Sequence, residues 1–278
     1  MPSIREKFFE LKKIKSPYLN ENVIRALLMH INDIRSPLDL TLNMEKECKN
    51  CAKLADMVEN IVSGVPYQYV INESIFNGVS FYVDNRVLIP RNETEELFQR
   101  TVKLINKYHF ENKTYLDFCT GSGVLGLSLK LNYPQSEVYV SDISQDALDV
   151  VKINMNRLNT NAKIIESDML NNVLSLNKKF DVLISNPPYI PSKDTVDKQV
   201  LEYEPHLALF ANPDARFYEE VFKHYKELMN EKYLLAFEIG EDMEESLILL
   251  IKKYFINVKY TFEKDIYNKT RFLFIINE

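Results

Sequence analysis

The chain has 278 residues, 46% of them apolar and 27% charged, with a formal net charge of −6. That is the composition of a folded globular protein, long enough for one large domain or two modest ones. The acidic balance argues against a dedicated nucleic-acid binder, and no apolar run approaches the ~20 residues that cross a bilayer. Residues 1–15 carry scattered charges and no apolar stretch of the kind a secretory signal needs. Three cysteines do not make a disulfide framework. Cys48 and Cys51 form a C-x2-C pair, but no second pair or closely spaced His pair accompanies them. They read as two ordinary helix cysteines, with no metal site and a reduced, cytoplasmic setting, or an organelle were the source eukaryotic.

Residues 1–63 have helical spacing and almost no glycine. Ile4, Phe8, Phe9 and Leu11 mark one short helix. Val23, Leu27, Leu28 and Ile31 mark a second, capped by Asn20, and Leu54 to Val62 a third that stops at Ser63-Gly64. Val65–Val70 and Phe76–Val83 read as two strands of a hairpin, with Asn77-Gly78 as a turn or bulge, making residues 64–90 a β-hairpin linker. Asn92 is placed to cap a helix running to His109.

From Thr114 the pattern alternates strand and helix, as in a parallel sheet covered on both faces. Tyr115–Phe118 is the first strand, Cys119–Gly123 a glycine loop, and Val124 begins a helix. Glu137–Val140 leads to Asp142, Lys163–Glu166 leads to Asp168 and Met169, and Phe180–Ser185 leads to Asn186. A helix from Phe217, a strand from Tyr233 to Ile239, a helix to Tyr254 and two closing strands complete an α/β domain over residues 91–278.

Asn186-Pro187-Pro188-Tyr189 is the stretch with the most chemistry in it. Consecutive prolines end the strand by removing two ladder donors and fixing φ. The result is a stiff loop at the carboxyl end of a strand, where open α/β sheets keep their ligands. Asn186 offers an amide oxygen, Pro187 a carbonyl, and Tyr189 a flat face, a set suited to a planar NH2 group. The glycine loop lets backbone approach a ligand closely, and Asp142, about 20 residues on, is placed for ribose hydroxyls. Cys119 occupies the first glycine position of a dinucleotide fingerprint, and Asp117 would sit badly beside a pyrophosphate. A ligand with a ribose, an amino-acid end and a cationic sulfur suits both features, which describes S-adenosylmethionine.

These motifs resemble the class I S-adenosylmethionine-dependent methyltransferases, and within them the PrmC/HemK family of release factor glutamine methyltransferases. The resemblance covers about residues 64–278. It rests on Gly64-x-Pro66-x-Gln68-Tyr69, Phe76-x-Gly78, Leu88-Ile89-Pro90-Arg91-x-Glu93-Thr94-Glu95, the Asp117 loop, Asn186-Pro187-Pro188-Tyr189-Ile190 and Glu202-Tyr203-Glu204-Pro205-x-x-Ala208-Leu209, all in family order. Asn92, Asp214-Ala215, Met169 and Asn268 depart from the family pattern. The resemblance implies a Rossmann-like sheet with helices on both faces, preceded by a helical N-terminal domain (residues 1–63) that grips the protein substrate. It further implies cofactor contacts from Asp117, Cys119, Thr120, Gly121, Ser122, Gly123, Asp142, Asp168, Met169 and Asn186. Catalysis and substrate binding fall to Asn186, Pro187, Pro188 and Tyr189. The implied reaction methylates the Gly-Gly-Gln glutamine of class-one release factors, with neither a membrane nor a direct nucleic-acid target. The competing readings are a ribosomal-protein glutamine methyltransferase, a DNA adenine methyltransferase that flips its base, and a non-catalytic binding module.

Overall fold

A computed structural model describes residues 2–211 and 215–278. It contains two compact units, Met1–Glu73 with Lys198–Tyr203, and Ser74–Asp197 with Glu204–Glu278.

The first unit is helical: α1 (Ile4–Leu11), α2 (Glu21–Ile31), α3 (Pro37–Leu42), α4 (Cys51–Val62) and α5 (Tyr67–Ile71). Ser3 and Glu6 form a reciprocal capping box on α1, and the Asn20 side chain accepts the Val23 N–H at 3.1 Å to start α2. Helix α3, absent from the sequence reading, begins at a Ser36 cap with Pro37 in its first turn. Ile4, Phe8, Leu27, Leu28, Leu54 and Ile61 form the shared core.

The expected strand at Val65–Val70 is instead helical, as α5. Gly64 (φ +115°) ends α4, Pro66 pre-sets the entry angle, and Asn72 (φ +51°) closes the turn. Aromatic and β-branched residues there mimic a strand, but Tyr67, Val70 and Ile71 share one helix face and pack on the helical core. Cys48 and Cys51 are joined in a disulfide, which corrects their reading as two ordinary helix cysteines. Asn50 in the left-handed region turns the chain into α4 and leaves the two Cα atoms 6.1 Å apart, within bonding reach.

In the second unit β1 (Ser74–Phe76) and β2 (Val79–Phe81) form a tight hairpin. Asn77 and Gly78 both have positive φ, the two-residue turn whose twist matches paired strands. The hairpin thus lies wholly within Ser74–Phe81. Helix α6 (Asn92–Tyr108) follows. Asn92 is its first helical residue, Arg91 occupies the cap position, and no side chain caps it, so the expected Asn92 cap does not form.

The sheet comprises β3 (Thr114–Phe118), β4 (Glu137–Asp142), β5 (Lys163–Glu166), β6 (Phe180–Ser185), β7 (Met229–Glu238), β8 (Lys259–Lys264) and β9 (Thr270–Asn277). Its order is β5-β4-β3-β6-β7-β9-β8, parallel from β5 to β7 and antiparallel at β9 and β8. The crossover helices α7 (Val124–Asn132), α8 (Gln145–Arg157), α9 (Asn171–Ser175), α11 (Arg216–Leu228) and α12 (Glu244–Tyr254) join these strands, while α10 (Lys198–Tyr203) belongs to the first unit. Two apolar cores result. One gathers Phe180, Tyr218, Phe222 and Phe237; the other gathers Phe98, Tyr115, Leu127 and Phe274. Both faces of the sheet are therefore covered, as the alternating pattern requires.

Helix α7 lies very close to the strands beneath it. A Cβ at Gly126 would stand 2.7 Å from Val140 Cγ1 and 2.9 Å from Asp117 Cβ. Gly126→Ala should lower the urea midpoint by an amount equivalent to ~1–3 kcal/mol, as overpacking does.

Candidate active site

Strands β3 and β6 lie side by side, with Phe118 opposite Ser185, and the crossovers leave them in opposite directions. That is the topological switch point, and both connecting loops leave from its carboxyl edge. The Ser185 hydroxyl, buried, donates to the Phe118 carbonyl and ties the two strand ends together. After Phe118 the chain turns at Cys119 (φ +60°), Gly121 (φ +54°) and Gly123 (φ +84°) before α7 begins. Nothing lies within 4 Å of where a Gly121 Cβ would be, so the loop presents bare backbone to open space.

Asp117 is buried beneath this loop. Its Oδ2 accepts the Thr120 hydroxyl and, at 2.8 Å, the Gly126 N–H, while its Oδ1 has no partner among the described residues. Burial pushes its carboxyl up to about 7, against the pull of those two donors and with a further push from the Asp142 charge. Asp142, at the end of β4, accepts the Gly121 N–H at 2.9 Å and the Ser144 N–H at 3.0 Å. Burial raises its pKa while these backbone donors lower it. Its side chain is thereby fixed with lone pairs to spare. Burial and the two neighbouring carboxylates also raise the Cys119 thiol, so it stands as a neutral group.

A cleft of about 1170 Å³, including its open mouth, runs over these strand ends. Cys119, Thr120, Gly121, Ser122, Asp142, Asp168, Met169, Asn186 and Pro188 all line it. Asp117, Gly123, Pro187 and Tyr189 do not. Asp168 is exposed on the rim and Met169 half-buried. The rest of the wall is largely apolar, from Val87, Leu88 and Pro90 on one segment and Pro205, Leu207 and Phe210 on another. An orphaned buried carboxylate oxygen, an anchored strand-end aspartate and an unobstructed glycine loop fit S-adenosylmethionine, which is cationic at sulfur and amine and carries a ribose diol.

At the end of β6, the Asn186 amide nitrogen donates to Thr94 Oγ1 at 3.0 Å. Thr94 in turn donates to Glu238 Oε2 at 2.7 Å, and Tyr189 donates its phenol proton to Glu238 Oε1 at 3.0 Å. The Asn186 amide oxygen accepts no hydrogen bond among the described residues.

The comparisons agree with this geometry. The "Methyltransferase small domain" model matches residues 96–232. A release factor glutamine methyltransferase of Bacillus cereus is 32% identical over 261 residues, covering 92% of both chains. The Leptospira interrogans protein of that name is 33% identical over 280 residues, 97% of this chain and 94% of its own. The chain belongs to the release factor glutamine methyltransferase family. Among solved structures, a Pyrococcus furiosus methyltransferase aligns with TM-score 0.52 at 14% identity, over 81% of this chain and 98% of its own. A Thermus thermophilus 16S rRNA methyltransferase, solved with S-adenosylmethionine and guanosine, gives 0.55 at 14% identity, over 74% and 50%. Both share the class I fold.

Within this family framework, several departures acquire a structural setting. Asn268 (φ +65°) fills a usual glycine position in the β8–β9 turn, in the left-handed conformation that Asn tolerates. Asp214 lies outside the described residues. Thr94, Glu238 and Asn154 carry polar contacts that the sequence reading did not assign. Asn154, fully buried, accepts the Tyr82 N–H at 2.6 Å and donates to the Tyr82 and Ser122 carbonyls. Thr94 stands within the Leu88–Glu95 motif and Glu238 closes the apolar run Tyr233–Phe237, whereas Asn154 has no such mark.

Asp117 carries a pH signature. Its folded pKa of about 7 lies above the ordinary 3.8, so it holds a proton in the folded state that the unfolded chain releases. The stability this gives is complete below about pH 4 and disappears as pH rises through about 7. Glu238, also pushed up to about 7 by burial, acts in the same direction. The urea midpoint of the cofactor-free protein should therefore fall between pH 5 and pH 8, and Asp117→Asn should flatten that fall.

Proposed function

We infer that this protein transfers a methyl group from S-adenosylmethionine to the side-chain amide nitrogen of a glutamine, the one in the Gly-Gly-Gln motif of class-one release factors. The observation that carries the reading is the orientation of Asn186. Its amide nitrogen gives one hydrogen to Thr94, its oxygen has no partner among the described residues, and the residue lines the same cleft as Asp142 and the glycine loop. The names of the relatives supply the acceptor protein.

A carboxamide nitrogen is a poor nucleophile because its lone pair is delocalised into the carbonyl. Asn186 Oδ1 and the Pro187 carbonyl, each accepting one N–H, favour a nitrogen that is becoming tetrahedral and aim its lone pair. Pro188 and Tyr189 hold that acceptor pair on a stiff loop and give the planar substrate a surface. When bound, S-adenosylmethionine supplies the electrophilic methyl group and departs as S-adenosylhomocysteine. Asp142 would hold its ribose, Asp168, Met169 and Asn186 would contact the rest of the nucleoside, and Asp117 with Cys119, Thr120, Gly121, Ser122 and Gly123 would hold the amino-acid end. The methylated amide, briefly cationic, is strongly acidic and gives its proton to solvent, so no strong base is required. Residues 1–63 would grip the release factor. The reaction takes place in the cytoplasm, with no membrane or nucleic-acid target; among the described residues no helix is long and apolar enough to cross a membrane.

The test uses labelled S-adenosylmethionine, a matched release factor, and the same factor with its Gly-Gly-Gln glutamine replaced. Label should enter only the unaltered factor; label on a ribosomal protein or on DNA instead would move the acceptor. Asn186→Ala should lower kcat by about 10²–10³, as loss of one preorganised polar group does. Cofactor affinity, read by calorimetry, should fall by a smaller factor than kcat, through the lost Asn186 contact to the nucleoside.

A further inference from the structure

We propose that Glu238 is the positioning residue of this site, acting through Thr94 to decide which way the Asn186 amide faces and through Tyr189 to seat the aromatic ring. The inference rests on the reading of Asn186 as the acceptor for the substrate amide.

Donors and acceptors decide which way the amide faces. Glu238 ends β7, next to the strand that delivers Asn186, and its side chain is buried. An ionised carboxylate can only accept. Thr94, on α6, must therefore give its single hydroxyl proton to Glu238, which it does at 2.7 Å. The Thr94 oxygen then has only lone pairs to offer Asn186. Asn186 can meet it with its NH2 group, as it does at 3.0 Å, but not with its oxygen, because a flipped amide would set two acceptors face to face. The flip is thus excluded by a charge two hydrogen bonds away. The other carboxylate oxygen takes the Tyr189 hydroxyl at 3.0 Å, so the first and last residues of the Asn-Pro-Pro-Tyr loop hang on one side chain.

Protonation removes the logic. A neutral Glu238 has a proton to donate; Thr94 can then accept from it and turn its own proton toward Asn186, which allows the unproductive flip. Burial raises this carboxyl to about 7, with Glu93 of α6 pushing in the same direction. Arg271 of β9, the Thr94 hydroxyl and the Tyr189 phenol pull it down. The Tyr218 hydroxyl donates to the Glu238 backbone carbonyl, at 2.8 Å. The ionised form that fixes Asn186 therefore becomes dominant as pH rises through neutrality.

The test is single-turnover methylation of a release factor with both substrates saturating, from pH 5.5 to 9, on the full chain. The wild-type rate should climb through about pH 7. Glu238→Gln and Thr94→Val should each lower the rate about tenfold or more, with cofactor affinity nearly unchanged, and Glu238→Gln should lose the acid limb. Thr94→Ser, which keeps the hydroxyl, should retain most of the rate. The double variant should be no slower than the worse single one, because both cut the same chain. Wild-type rates in Thr94→Val, or an unchanged acid limb in a folded Glu238→Gln protein, would overturn the proposal. Asn186→Ala, run alongside, separates the two layers: if it too keeps its rate, the reading of Asn186 itself is wrong. If Asn186→Ala is dead while Thr94→Val is fully active, only the relay is wrong.

Discussion

Phe118 and Ser185 sit opposite one another at the ends of two adjacent parallel strands, and a buried hydroxyl-to-carbonyl hydrogen bond fastens them. The arrangement of the whole second unit serves that adjacency. Because the crossovers from β3 and β6 diverge, their loops emerge into a common gap that no helix fills. One loop turns through three residues of positive φ and presents bare backbone at Gly121. The other is stiffened by two prolines and offers acceptors. Bare backbone and a stiff acceptor loop thus border one cleft.

The second constraint is electrostatic. Two carboxylates are buried at strand ends, Asp117 on β3 and Glu238 on β7, and burial drives both toward neutrality. Asp117 is held by a hydroxyl and a backbone donor, and Glu238 by two hydroxyls, with Arg271 also favouring the Glu238 charge. A cationic ligand near Asp117 favours its ionised form, so binding and deprotonation assist one another. Such groups are costly to bury and are found where the energy is returned by function.

The alternation of strand and helix after Thr114 was legible because a parallel sheet needs continuous apolar strands and half-apolar helices. Asp142 and Asn186 could be found because each closes such a strand. Residues 64–73 were not legible in the same way. Tyr67, Tyr69 and Val70 have strand-like side chains, and only packing against the helical core decides for α5. Short helices such as α3 and α9 carry too few turns to show a period. The Cys48–Cys51 disulfide depends on a left-handed Asn50, which composition does not reveal. Thr94 and Glu238 are 144 positions apart, and they meet only because α6 packs against β7.

Glu204 is almost completely buried, with one carboxylate oxygen on the Ile89 N–H at 3.1 Å and the other on the Arg91 guanidinium at 2.5 Å. Two segments more than a hundred residues apart, each contributing apolar wall to the cleft, are thereby stitched at a single point. Loss of Arg91 alone would strand a buried charge, and loss of Glu204 alone would free both walls. A disturbance in either segment is therefore carried to the other through one carboxylate.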